Sequence, residues 1–340
     1  MKRIILGCEG KKITEEEAAV FKDHSPLGLI LFLRNCENPD QIRKLTDHFK
    51  ELVGDDNRLI MIDEEGGSVQ RMKSPVWEAH PAYCEFGKIY KKNKSEAIEL
   101  LKLNCSAISA KLKEVGINTV AAPVVDVLHD NTHNFMHDRC FSHDADVVSE
   151  LGGVVVDEFL KYGVLPIIKH LPGHGRASKD SHFELPRIST DSKTMDDNDF
   201  KPFKELSRCP LGLTSHILYD AIDPDNPITF SAAGVEFIRK QLGFTNLLMT
   251  DCIYMEALTG TIPEKAQKAI QAGIDIVLSC HGSADEKALV ADKCGSLEGD
   301  QLRKFNSMFA MIRSVDPSLN VSDHLNLSRQ INQKIKNFSD

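Results

Sequence analysis

Residues 164–186, VLPIIKHLPGHGRASKDSHFELP, hold the densest set of groups in the chain that could do acid–base chemistry. An apolar run ends in Lys169-His170. Pro172-Gly173-His174-Gly175 then forbids further strand, and a polar loop carries Asp180 and His182 one residue apart. An Asp and a His so spaced can hydrogen-bond on a loop, orienting the imidazole and favouring its protonated form. Other apolar runs also end in charge: Asp63 after 59–62, Asp126 after 118–125, His216 after 211–215 and Asp251 after 247–250. If these run-ends meet, they form a polar pocket. Left uncompensated, such a set would cost several kcal/mol per buried ion, so it must be paired or serve a ligand.

Three chemistries could use these groups. Metal-dependent hydrolysis needs closely spaced His ligands, as HxH on a strand or HExxH on a helix. His129, His133 and His137 are spaced by four, but Asn131 and Asn134 interrupt a helix there and no apolar stripe backs them. No metal and no cofactor is expected. A Schiff base on Lys169 would need an apolar pocket to depress the amine. With His170 adjacent and acids around it, Lys169 reads better as a charged clamp. Glycoside hydrolysis needs one carboxylate as nucleophile or base and a proton donor across the bond. Asp251 and the Asp180–His182 pair could fill those roles.

The elements that must bring these residues together are legible. Eight apolar, β-branched-rich runs fall at 4–8, 29–33, 59–62, 118–125, 165–168, 211–215, 247–250 and 274–279. Near-continuous apolar runs are the mark of parallel strands buried on both faces. Amphipathic segments separate them. Thr14-Glu15-Glu16-Glu17 reads as a capping box, and Asn38-Pro39 opens a helix to Val53. Helices over 95–115, 145–162, 231–242 and 263–272 each meet a glycine just past the end. Eight strands alternating with helices over about 280 residues is the count of an α/β fold of the (β/α)8 TIM-barrel type. An open doubly wound sheet is the alternative, but no GxGxxG follows the first strand and no Walker motif is present. Residues 72–94 and 127–144 read as long insertions, and 187–210 as loop then helix. With no linker in sight, residues 1–340 read as a single barrel domain with a helical tail from about 283.

A net charge of −9 and the absence of a basic patch with interleaved aromatics argue against a nucleic-acid partner. No apolar stretch approaches the roughly 18 residues of a membrane span. The first apolar run is too short for a secretory signal and reads as a strand. Nine cysteines with no CxxC pair point to a reducing compartment rather than a disulfide framework. A cytoplasmic location is expected.

The motifs together resemble a known family. They are Gly28-Leu-Ile-Leu-Phe-Leu-Arg-Asn35, Asp63-Glu-Glu-Gly-Gly-Ser-Val-Gln-Arg71, Ala122-Pro-Val-Val-Asp-Val127, Asp138-Arg-Cys-Phe141, Lys169-His-Leu-Pro-Gly-His-Gly175, Asp180-Ser-His182, Thr250-Asp251 through Met255-Glu256, and Ala272-Gly-Ile-Asp275. The chain resembles family 3 glycoside hydrolases, in the branch of single-domain bacterial β-N-acetylglucosaminidases of cell-wall recycling, to about residue 282. The run from Lys169 to Gly175 followed by Asp180-Ser-His182 is the specific part.

The resemblance implies Asp251 as the nucleophile of a covalent glycosyl-enzyme. It implies His182 as general acid/base on a mobile loop, with Asp180 as its partner. It implies Asp63, Arg71, Arg139, Lys169 and His170 as the residues holding the sugar ring. The substrate it implies is GlcNAc–anhydro-MurNAc from muropeptides, hydrolysed by a monomer. A β-N-acetylglucosaminide phosphorylase and a sugar-binding protein without catalysis are the alternatives. By elementary chemistry His174, Gly66 and Gly67 could serve turns, Asp126 and His216 could support other side chains, Asp251 could cap the next segment, and Arg139 could be a surface ion pair. The chain departs from the family pattern at Leu171, Glu64, Ser68, the basic stretch 176–179 and Cys252-Ile253.

Overall fold

The computed structural model describes residues 1–315 and 323–339. Eight parallel strands close into a barrel: β1 (Lys2–Gly7), β2 (Pro26–Leu31), β3 (Leu59–Ile62), β4 (Thr119–Val120), β5 (Leu165–Leu171), β6 (Leu211–Thr214), β7 (Leu247–Cys252) and β8 (Ile276–Ser279). Each strand pairs with its neighbours in chain order, and β8 closes on β1. This is the expected (β/α)8 barrel.

The apolar runs are continuous because both faces of each strand are buried. Along β1, Ile5 points into the barrel while Ile4 and Leu6 meet the helices. Leu59/Met61 against Ile60/Ile62, and Leu247/Met249 against Leu248, repeat the alternation with its period of two. The helices begin and end as their sequences require. Thr14 and Glu17 form the capping box of Glu15–His24. The Asn38 side chain caps Pro39–Val53 by accepting from the Gln41 N–H, and Gly54 ends that helix at φ 66°. Gly273, at φ 102°, ends Ile262–Ala272.

Three boundaries differ from expectation. β2 begins at Pro26 and stops at Leu31, not at 33. The Asn35 side chain accepts the Phe32 N–H at 2.9 Å and donates to the Gly10 carbonyl at 2.6 Å, pulling the chain off the sheet into a 3-10 turn, Leu33–Asn35. β4 is only two residues long. The Ala122 N–H turns back to the Val120 carbonyl at 2.9 Å and breaks the regular ladder, while bonds to β5 go on irregularly: the Ala122 carbonyl accepts the Ile167 N–H at 2.9 Å, the Pro123 carbonyl the Lys169 N–H at 3.2 Å, and the Val125 N–H reaches the Lys169 carbonyl at 2.9 Å. β5 runs on to Leu171, so Lys169 and His170 are strand residues.

The expected helical tail is three helices within the described residues, the last of which, His324–Ser339, lies against Lys94–Glu114; 316–322 and 340 lie outside them. Ala284–Cys294 lies against Glu15–His24 and belongs to the barrel, with the buried Lys287 ammonium on Glu17 at 2.5 Å. Gly299–Arg313 plugs the N-terminal end. Its Phe305, Met308 and Phe309 share one apolar cluster with Leu27, Leu59, Leu165, Leu211 and Leu247 from the strand starts. The C-terminal end is left open. There the expected insertion begins earlier than residue 72, with a small antiparallel ribbon, Glu64–Gly66 with Val69–Gln70. Gly66 and Gly67 turn it, at φ 98° and 58°.

Candidate active site

The residues at the open end of the barrel form an alternating chain of charge. Lys169, in β5, places its ammonium 3.1 Å from Asp63, just past β3, and 2.5 Å from Glu65 in the ribbon. Arg71 holds the other Asp63 oxygen at 2.9 Å. Arg139 grips Glu65 with two parallel bonds, 2.9 and 2.8 Å long. Arg139 is buried, so it is no surface ion pair, and the fork geometry is the strong, specific kind. Burial alone would raise the Asp63 carboxyl, but Lys169 and Arg71 outweigh it and hold it well below the usual carboxylate range. Glu65 is also depressed: burial opposes, and Arg139 and Lys169 prevail.

Glu65 was not among the expected site residues. A signal was available in the alternation along Asp63-Glu64-Glu65, which sends the outer two acids one way and the middle one the other. Glu64 does point away, to the buried Lys111 at 2.6 Å, and accepts the Arg71 N–H at 2.9 Å.

His170 lies against Asp126, Nδ1 to Oδ2 at 2.7 Å. Asp126 also accepts the backbone N–H groups of His170 and His174, the latter at 2.6 Å. Burial, then the nearby Arg139 and Lys169 charges, lower the His170 pKa to about 3, so its imidazole is neutral. The proton therefore sits on Nδ1, facing the carboxylate, and Nε2 is left as an acceptor. Asp126 is the support it could have been. Gly175 allows the loop to pass against Val127, where a Cβ would lie 1.7 Å from the Val127 carbonyl oxygen. Of the basic stretch 176–179, Arg176 is tied to Asp199 at 2.7 Å and Lys179 to Glu184 at 2.5 Å.

Asp251, the last residue but one of β7, is the only acid of that strand. One oxygen accepts the N–H of Cys252 at 2.7 Å. Behind it His216 donates from Nε2 to the Cys252 carbonyl at 3.1 Å, fixing the main chain beside the carboxylate. Burial would push Asp251 up, yet it is held below its ordinary value, with the Cys252 N–H on its oxygen. Asp180 and His182 form the expected dyad, with Nδ1 to Oδ1 at 2.7 Å and a second bond from the His182 N–H at 3.0 Å. Asp180 is held below the usual range; burial opposes, and both His182 bonds prevail.

One cavity of about 610 Å³ joins these parts. It is lined by Asp63, Arg71, Arg139, Lys169 and His170, and by both His182 and Asp251, while Asp180 stands behind His182. Phe135, another residue the sequence reading passed over, sits edge-on to His174 and His182, with ring centroids 5.4 and 6.0 Å away, and under the Arg139 guanidinium. The spaced histidines 129, 133 and 137 turn to other partners: His129 to Asp199 at 2.7 Å, and His137 to the Thr132 carbonyl at 2.9 Å. A clamp of paired charges, an ionised carboxylate and an imidazole–carboxylate dyad around one sugar-sized space could cleave a glycosidic bond.

The glycosyl hydrolase family 3 N-terminal domain matches residues 2–303. The chain belongs to glycosyl hydrolase family 3. This family 3 enzyme is a glycoside hydrolase, and its relatives are similar over most of their length. The protein named Beta-hexosaminidase from Alkalilimnicola ehrlichii is 33% identical over 283 residues, covering 82% of this chain and 80% of its own. The Beta-hexosaminidase of Nitrosomonas eutropha is 31% identical over 290 residues, covering 83% and 82%. Among solved structures, NagZ from Neisseria gonorrhoeae in complex with N-trifluoroacetyl-D-glucosamine superposes with a TM-score of 0.85 at 25% identity, covering 98% of this chain and 97% of that one.

Proposed function

We propose that this chain is a retaining, exo-acting β-N-acetylglucosaminidase that removes a terminal non-reducing N-acetylglucosamine from muropeptide fragments. Its class is β-N-acetylhexosaminidase, in line with its relatives' names and its family. In the proposed reaction the Asp251 carboxylate attacks the anomeric carbon and forms a covalent glycosyl-enzyme, while His182 protonates the departing oxygen. Asp180 stabilises the imidazolium before transfer and fixes the ring afterwards. His182 then takes a proton from the water that releases the sugar. Asp63, Arg71, Arg139, Lys169 and His170 hold the ring, the carboxylate and the His170 Nε2 accepting from sugar hydroxyls and the cations donating to sugar oxygens. The enzyme works as one barrel domain, as a monomer, on GlcNAc–anhydro-MurNAc substrates in the cytoplasm. Among the described residues no helix is long and apolar enough to cross a membrane.

The observation that carries this reading is that Asp251 and His182, from different strand ends, line one cavity with the charge clamp. The test is the anomeric form of the first product, followed by NMR during hydrolysis of an aryl N-acetyl-β-glucosaminide. The β-anomer is expected to appear first. Initial release of the α-anomer would overturn the covalent route. Release of the sugar 1-phosphate instead of free sugar, when inorganic phosphate is added, would make the enzyme a phosphorylase.

A further inference from the structure

Two thiols meet beside Asp251, and the proposed reaction uses neither. Asp251 and Cys252 close β7, and Cys280 follows β8 directly. The two strands are neighbours in the barrel, and Cys252 is paired with Leu278 across them. Leu278 and Cys280, two residues apart, both point into the barrel, and Cys252 packs against that same interior cluster. Both cysteines line the cavity that holds Asp251. Their thiols hydrogen-bond each other and are not bridged. Cys252 is half-buried, while Cys280 is buried.

The pair is unequal. The hydrogen bond from Cys280 lowers the Cys252 thiol below its ordinary value, although burial opposes it. Burial first, and then the bond to Cys252, raise Cys280 well above its own. Cys252 is thus the sulfur that ionises, and Cys280 stays a thiol next to it. A reachable thiolate with a second thiol poised to resolve it is the arrangement of redox-sensing cysteines. The main chains tie the pair to the site. The Cys252 N–H donates to Asp251 at 2.7 Å, and the Cys280 carbonyl accepts from Arg34 at 2.7 Å. Arg34 also holds the Cys8 carbonyl at 3.1 Å, which anchors the end of β8 to that of β1. The ladder between β7 and β8 shifts register between Met249 and Cys252, so its irregular stretch is the one that carries Asp251.

We propose that Cys252 and Cys280 form a peroxide-responsive switch, closing to a disulfide that displaces Asp251 and silences the enzyme. The Cys252 thiolate attacks one oxygen of hydrogen peroxide. A sulfur–oxygen bond forms, the oxygen–oxygen bond breaks, and hydroxide leaves and is protonated to water. The Cys280 sulfur then attacks the Cys252 sulfur, and the sulfenic oxygen departs as water with the Cys280 proton. The two thiols lose two electrons and two protons in all, and the peroxide is reduced to two waters. A disulfide holds its sulfurs about 2.05 Å apart, closer than any hydrogen-bonded pair, so closure draws the strand ends together. With β8 anchored by Arg34, the shift falls on the irregular end of β7. A misplacement of about 1 Å can cost about 10²-fold in rate. The silencing rests on the glycosidase reading above; the bond itself does not.

The test treats the reduced protein with hydrogen peroxide, blocks the remaining thiols and maps the digest by mass spectrometry. Turnover of an aryl N-acetyl-β-glucosaminide is read on the same samples, before and after dithiothreitol. The Cys252 and Cys280 peptides are expected to be joined and kcat/KM to fall at least about tenfold, with dithiothreitol reversing both. Reduced Cys280→Ser is expected to match the reduced wild type, to give no joined peptide under peroxide and to carry an oxidised Cys252 sulfur instead. Peroxide-treated wild type without the joined peptide, or with it at undiminished turnover, would overturn the switch and leave the glycosidase reading standing. A reduced wild type that hydrolysed no N-acetylglucosaminide would remove that reading and the silencing with it, and the peptide map would still decide whether the bond forms.

Discussion

The His182 carbonyl oxygen accepts a hydrogen bond from the Glu256 N–H at 3.2 Å, and the Ser181 carbonyl accepts one from Ala257 at 3.3 Å. The loop after β5 is therefore fastened, main chain to main chain, to the segment that leaves β7 just after Asp251. The imidazole of the dyad is held over the carboxylate's side of the cavity by bonds that no side-chain substitution removes. Variants at His182 and Asp180 should thus report on proton transfer rather than on a displaced loop.

The first prediction uses that separation. His182→Ala is expected to lose about 10²–10⁴-fold in kcat on a sugar leaving group, which must be protonated to depart. It should lose far less glycosylation rate on a dinitrophenyl leaving group, which needs no proton. Asp180→Asn should show the same pattern with a smaller loss. Steady-state and burst kinetics on the two substrates check this; equal losses on both would remove His182 from the acid role.

A second prediction concerns the clamp and pH. Lys169 is the cation shared by Asp63 and Glu65; Lys169 and Glu65 are buried and Asp63 is half-buried. Lys169→Met leaves both acids without it, and breaking such a buried set costs about 3–5 kcal/mol. Both acids have folded pKa values depressed below their ordinary 3.8 and 4.5. Their contribution is therefore fully present above the ordinary values and is lost as pH falls through the lower folded ones. The destabilisation should be complete at about pH 7 and begin to shrink only at about pH 4 and below. Urea unfolding of both proteins across that range measures it; a deficit that grew on acidification would contradict the pairing.

Gly175→Ala forms a third case. The new Cβ would lie 1.7 Å from the Val127 carbonyl oxygen, so the loop or the chain beneath it must move. That loop is also held by Thr132 on the Gly175 carbonyl and by the His133 N–H on the Ala177 carbonyl. A lower Tm and a raised KM are expected, because His170 and His174 share Asp126 directly upstream. Unchanged Tm and kinetics would mean that the close approach is relaxed in solution.

Much of this was legible in the sequence because parallel barrel strands are apolar on both faces, so their ends stand out as the first charges. Asp63, Asp126, His216 and Asp251 were found that way. What was not legible depended on partners distant in the chain. Lys169 and His170 lie inside β5 because Glu65 and Asp126 compensate them, and nothing local to residue 169 says so. Glu65 shares the face of Asp63 by local alternation, but its partner Arg139 lies 74 residues on. β4 is shorter than its apolar run because such a run does not show where the Ala122 N–H turns back on the Val120 carbonyl.

The account turns on Asp251 as the group that takes the sugar. Incubation with a slowed, fluorinated N-acetylglucosaminide, followed by digestion and mass spectrometry, tests this directly. A mass increase of one glycosyl unit on the peptide containing Asp251, absent in Asp251→Ala, is the predicted result. A glycosyl adduct on another carboxylate, or steady turnover by Asp251→Ala, would contradict it.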